Sequence, residues 1–121
     1  MKNATVLVIE DETAILNNIC TILQISGYDC HKANSGLVAF EILQTVIPDI
    51  ILCDVMMPDM NGFEVLQKLQ DDEHLKNIPF CFLSARADII DIDYGISLGA
   101  KGYITKPFSA KDLVQTVQNL S

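Results

Sequence analysis

Apolar and polar positions along this chain switch between two periods, and each change of period marks an element. Thr5 to Ile9 reads T-V-L-V-I, a β-branched run ending at Glu10-Asp11-Glu12, which predicts a strand that delivers carboxylates at its exit. Leu16, Ile19, Cys20 and Leu23 then recur at three- and four-residue steps, the mark of an amphipathic helix, and Ser26-Gly27 supplies its stop. A short strand is expected over about residues 29–33. Asn34-Ser35 opens a second helix with Val38, Ala39, Ile42, Leu43 and Val46 on one face and Pro48 at its end.

Ile50 to Cys53 run into Asp54 with no polar interruption, and Pro58, Asn61 and Gly62 follow. An apolar run bounded by turn residues fits a strand buried on both faces of a parallel sheet. A helix through Phe63, Leu66 and Leu69 and a polar stretch over 70–77 lead to a fourth strand, Phe80 to Leu83, with its exit at Ser84-Ala85. The next helix, from about Ala87 to Leu98, is expected to place Ile89, Ile92 and Ile96 on its inner face. Tyr103 to Thr105 form a fifth strand running into Lys106-Pro107, and Ser109 with Asp112 starts a last helix bearing Leu113, Val117 and Leu120. Strands alternating with helices across short connections predict a three-layer α/β sandwich around a parallel sheet, as one domain over residues 1–121.

Composition narrows the function classes. Eight basic residues against sixteen acidic ones give a formal charge of −8, which repels a phosphate backbone and argues against direct nucleic-acid binding by this chain. No apolar run approaches the roughly 20 residues that span a bilayer, and residues 1–5 lack the charged and apolar regions of a signal peptide, so no membrane partner and a cytoplasmic location are expected. Cys20, Cys30, Cys53 and Cys81 form no C-x-x-C pair and lie in apolar patterns, which reads as reduced, buried small hydrophobes. His31 and His74 are far in sequence from the acidic exits and read as neither ligand nor phosphodonor. Met56, Met57 and Met60 read as loop packing.

In a parallel sheet all strand exits share one edge, where open α/β sheets bind ligands. Here that edge would carry Glu10, Asp11, Asp54, Ser84 and Lys106. Two carboxylates about 4 Å apart repel by roughly 4 kcal/mol at an effective dielectric near 20, so three in one crevice call for a cation beyond what one lysine supplies. Hard carboxylate oxygens without imidazole or thiolate select Mg²⁺, with Mn²⁺ possible. A nucleophilic carboxylate, a metal, a hydroxyl and an ammonium together make a complete set for phosphoryl transfer onto an aspartate.

Those residues at that spacing, with D-V-M-M-P-D-M-N-G at Asp54, L-S-A at Ser84 and Y-I-T-K-P-F at Lys106, resemble the receiver domain of two-component response regulators, including its single-domain chemotaxis members. The resemblance implies a flavodoxin-like fold with five helices and strand order 2-1-3-4-5. It implies Asp54 as phosphoacceptor and Asp11, Asp54 and the Met56 backbone carbonyl as Mg²⁺ ligands, with Glu10 acting through water. Ser84 and Lys106 would contact the phosphoryl group, Tyr103 would be a switch aromatic, and the Lys106-Pro107 bond would be cis. Met56 and Arg86 match positions that tune phosphoryl loss. The implied partners are a sensor histidine kinase or histidine phosphotransfer protein as donor and a downstream protein or effector domain as output. The implied chemistry is self-modification at Asp54, not turnover of an external substrate. Glu10 stands where Asp is commoner and Ser84 where Thr is commoner.

Three rival readings are weaker. A phosphorylation-independent binding module would have no need of Lys106 among the acids. A haloacid-dehalogenase-like phosphatase wants a second acid where Met56 stands, and a flavodoxin wants a hydroxyl-rich phosphate loop where Glu10-Asp11-Glu12 stands.

Overall fold

A computed structural model describes residues 3–85 and 88–120 of the chain. Its elements are β1 (Thr5–Ile9), α1 (Thr13–Ile25), β2 (Asp29–Ala33), α2 (Gly36–Leu43), β3 (Ile50–Asp54), α3 (Gly62–Gln70), β4 (Phe80–Ser84), α4 (Ile89–Ser97), β5 (Gly102–Thr105) and α5 (Ala110–Leu120). The strands are all parallel in the order β2-β1-β3-β4-β5, the flavodoxin-like arrangement the sequence led us to expect.

Alternation along the strands builds two cores. Leu7, Ile9, Ile51, Cys53, Phe80 and Phe82 face one way, under α2, α3 and α4. Val6, Val8, Ile50, Leu52, Cys81 and Leu83 face the other, under α1 and α5. All five residues of β3 are buried, because helices cover both its faces and strands flank both its edges. The C-terminal ends of β1, β3, β4 and β5 therefore meet at one rim of the sheet.

Local signals account for the helix boundaries. Gly27, with φ at 95°, ends the turn after α1 in a backbone region that costs a side-chain-bearing residue. Ser35 caps α2 by accepting from the Val38 N–H, and Ser109 Oγ accepts from the Asp112 N–H at 3.0 Å, as its spacing predicts. Asn61 and Glu64 form a reciprocal capping box that starts α3.

Two sequence expectations need correction. The α2 helix ends at Leu43 and not at Pro48: past it the bonds tighten to three-residue steps, the Gln44 N–H donating to the Glu41 carbonyl at 3.2 Å and the Thr45 N–H to the Ile42 carbonyl at 3.1 Å, and the Ile42 carbonyl takes the Val46 N–H as well, a shared acceptor typical of a closing turn. More important, α4 does not turn Ile89 and Ile96 inward: they are 75% and 45% exposed, Ile92 is half-buried, and Gly95 is the helix's only buried residue. A Cβ on Gly95 would lie 2.9 Å from Phe82 Cε2, so the helix rests on that ring through a position with no side chain. An apolar count cannot find a contact made by glycine. The expected start of this helix at Ala87, like Arg86, falls outside the described residues.

Candidate functional site

Each candidate group owes its position to a strand end. Glu10 follows the last residue of β1, and its N–H donates to the Ala33 carbonyl at 3.0 Å, extending the ladder to β2 by one step. Asp54 is the last residue of β3 and Ser84 the last of β4; Asp54 sits in register with Leu83 and Ser84 with Thr105. Lys106 follows β5, and its N–H donates to the Ser84 carbonyl at 2.8 Å. Neighbouring strands lie about 4.8 Å apart, so short and long side chains from these exits reach one crevice.

Oxygen atoms of Glu10, Asp11 and Asp54 lie within 4.8 Å of one another, the only such cluster of potential metal ligands among the described residues. Glu10 is fully buried and Asp54 5% exposed, while Asp11 is half-buried. Lys106 Nζ lies 2.5 Å from Glu10 Oε1 and 3.5 Å from Asp54 Oδ2, and the Glu12 N–H donates to Glu10 Oε2 at 3.3 Å. Burial pushes the Glu10 carboxyl up to about 7; the Lys106 hydrogen bond opposes this and the Asp54 charge adds to it. For Lys106, burial works against the charged form, but the Glu10 hydrogen bond and the Asp54 and Glu10 charges outweigh it and hold the ammonium above its ordinary pKa.

One lysine cannot neutralise three carboxylates, and the donor set contains neither imidazole nor thiolate. The residues therefore fit a hard divalent cation such as Mg²⁺. The loop after β3 is fixed from beneath: the Gly62 N–H donates to the Val55 carbonyl at 2.9 Å, and a Cβ on Gly62 would lie 2.4 Å from the Asp54 carbonyl oxygen. Only glycine permits that approach. The sequence showed Gly62 as a turn residue but not as the support of Asp54; the N-x-x-E spacing of Asn61 and Glu64 was the available signal for where the helix starts.

The other expected site residues divide. Ser84 is fully buried at the exit beside Asp54. Met56 is 58% exposed in the loop, whereas Met57 is buried and Met60 half-buried against Gly36, so loop packing holds for two of the three methionines. Tyr103 is half-buried, its ring centroid 5.8 Å from that of Phe82 on the α4 face. The Lys106-Pro107 bond is cis. His31 is half-buried in β2 and His74 is exposed beyond α3, consistent with neither serving the acidic cluster. No described helix is long and apolar enough to cross a membrane.

The chain is similar to the phosphate regulon transcriptional regulatory protein PhoB of Pseudomonas aeruginosa, with 36% identity over 94% of this chain and 50% of that protein. It spans about half the length of the curated relatives it matches. Among solved structures it is similar to the chemotaxis protein CheY4 of Vibrio cholerae, at a TM-score of 0.94 and 30% identity, covering 99% of this chain and 100% of that one. The receiver domain of the Francisella response regulator 1452 matches at a TM-score of 0.91 and 33% identity, covering 98% and 96% of the two chains. The family model described as the response regulator receiver domain matches residues 6–118, and with the acidic rim and the strand order it establishes that this chain belongs to the response regulator receiver domain family.

Proposed function

We propose that this chain is a switch driven by phosphorylation of Asp54. The observation that carries this reading is the Asp54 carboxylate at the end of a wholly buried strand, within 4.8 Å of the Glu10 and Asp11 oxygens and 3.5 Å from the Lys106 ammonium. An Asp54 oxygen attacks the phosphorus of a phosphohistidine on a kinase or phosphotransfer partner. The P–N bond breaks, the imidazole takes up a proton, and Asp54 carries the phosphoryl group as an acyl phosphate. Glu10, Asp11, Asp54 and the Met56 carbonyl would hold Mg²⁺, which when bound supplies neutralising charge to the carboxylates and phosphoryl oxygens.

The chain's own residues do the rest. Lys106 exchanges part of its contact with Glu10 for a phosphoryl oxygen. The Ser84 hydroxyl donates to another, and the space it leaves admits the Tyr103 ring. Going from about 1% to 99% active needs roughly 5.5 kcal/mol of differential stabilisation, within reach of several charge-assisted hydrogen bonds. An apolar pocket of about 380 Å³ beside Lys106, lined by Ile15, Asn18, Pro107 and Phe108, supports donor docking on the α1 side of the rim. The exposed Ile89, Ile90, Tyr94 and Ile96 of α4 support an output partner on the other side. That partner is a separate protein or an attached effector domain, in keeping with the transcriptional regulator among the relatives. A cytoplasmic location and self-modification without an external substrate belong to the same reading.

The test is incubation with acetyl phosphate and Mg²⁺ followed by intact mass. Wild type is expected to gain one phosphoryl group, about 80 Da, and Asp54→Ala none. No gain on wild type, or an undiminished gain on Asp54→Ala, would overturn the proposal.

A further inference from the structure

Cys20 in α1 and Cys30 in β2, ten residues apart in sequence, bring their sulfurs to 2.9 Å, with the Cys30 S–H donating to Cys20 Sγ. Cys20 is buried and Cys30 half-buried on the face of the sheet covered by α1. The other two thiols are elsewhere: Cys53 Sγ lies on the opposite face and donates to the Asp54 carbonyl, and Cys81 is in β4, three strands across from β2. At about 4.8 Å per strand, Cys81 is beyond the reach of a disulfide to Cys30. The Cys30 hydrogen bond holds the Cys20 thiol below its ordinary pKa; burial opposes this and the Lys32 charge adds to it. The same bond, with burial, pushes the Cys30 thiol up, so Cys20 is the sulfur of the pair that ionises first.

We propose that Cys20 and Cys30 are a peroxide-oxidisable pair whose disulfide fastens α1 to the edge strand β2. The thiolate of the pair attacks one oxygen of hydrogen peroxide, breaking the O–O bond. This gives a sulfenic acid, while the departing hydroxide takes up a proton and leaves as water. The second sulfur, deprotonated, attacks the sulfenic sulfur and expels a second water. Two thiols are oxidised to one disulfide while one peroxide is reduced to two waters. In a reducing compartment such a bond is transient, which makes it a record of oxidant exposure, not a permanent staple. The inference is independent of the chemistry at Asp54, since neither sulfur belongs to the acidic rim.

The experiment exposes the folded chain to hydrogen peroxide, blocks remaining thiols with N-ethylmaleimide and cleaves before aspartate, which separates Cys20 from Cys30 at Asp29. The expected product is one pair of peptides joined through Cys20 and Cys30, released by dithiothreitol, with Cys53 and Cys81 blocked. Oxidised wild type should melt roughly 5–10 °C above the reduced form, and Cys30→Ser should show no such shift. Blocked Cys20 and Cys30, a link to Cys53 or Cys81, or a sulfinic acid in place of the link would overturn the proposal, and a joined pair with an unshifted melt would overturn its fastening role. Mapping wild type needs no variant to fold.

Discussion

Helices α3 and α4 are nine residues each and cover the same face of the sheet, yet they are held in opposite ways. The α3 helix starts in a full capping box and buries Gly62, Val65, Leu66 and Leu69. Its N-terminus presses on the Asp54 carbonyl. The α4 helix has no side-chain cap at Asp88, buries only Gly95, and turns Ile89, Ile90 and Ile96 outward, while the partly exposed Tyr94 ring leans edge-on against Phe63 of α3 at 4.9 Å. Burying a large aliphatic side chain contributes about 1.5–3 kcal/mol, so three such side chains anchor α3 where α4 has none. The rim of acids is thus built on a well-anchored element, and the surface proposed to meet an output partner sits on one with few buried side chains to hold it.

This contrast can be broken at several points. The largest effect should come from Glu10, in the rim that α3 supports. Its carboxyl is raised from an ordinary 4.5 to about 7, so the folded metal-free chain holds a proton that the unfolded chain has already released. The associated stability is present below about pH 4.5 and is lost as pH rises through about 7, on the order of 3 kcal/mol. Urea unfolding between about pH 5 and pH 8 should show that fall in wild type and a flatter profile in Glu10→Gln; identical profiles would place the charge strain elsewhere.

Gly62→Ala comes next. Its Cβ would meet the Asp54 carbonyl at 2.4 Å, with backbone on both sides and little room to yield. A loss of roughly 2–3 kcal/mol is expected in urea unfolding, together with impaired phosphoryl uptake. Gly95→Ala should cost less, about 1 kcal/mol: the methyl crowds the Phe82 ring at 2.9 Å, but alanine regains helix propensity and α4 can lift. Amide exchange should quicken in α4 and not in α3; equal quickening in both would show that they move as one unit. Ile90→Ser, at a position 82% exposed, should change stability by less than about 0.5 kcal/mol while weakening binding of an output partner. A larger stability loss would mean that α4 is anchored by its outer face.

How well the sequence could be read follows the same division. Strands and their exits were legible because a buried parallel strand is a continuous apolar run and its end is where polarity returns. Glu10, Asp54, Ser84 and Lys106 could therefore be brought together before any coordinates. Glycine contacts were not legible: Gly62 and Gly95 act through the close approach their missing side chains allow, which hydropathy does not register. The isoleucines of α4 gave a helical stripe of the right period, but Ile89 and Ile96 lie on the outer side and only Ile92 is half-buried. The Cys20–Cys30 contact was hidden for another reason, since it joins a helix to a strand and follows neither period.

The ends of the loop that follows Asp54 are tied to adjacent peptide units, Gly62 N–H on the Val55 carbonyl and Gly62 Cα against the Asp54 carbonyl. For protein engineering, the clasp fixes where the chain leaves the sheet and where it re-enters a helix, so the exposed Met56 side chain can be exchanged without resetting the nucleophile. Met57, Met60 and Asp59 are the positions to keep, the first two packed and the Asp59 carboxylate accepting from the Leu37 N–H at 3.2 Å.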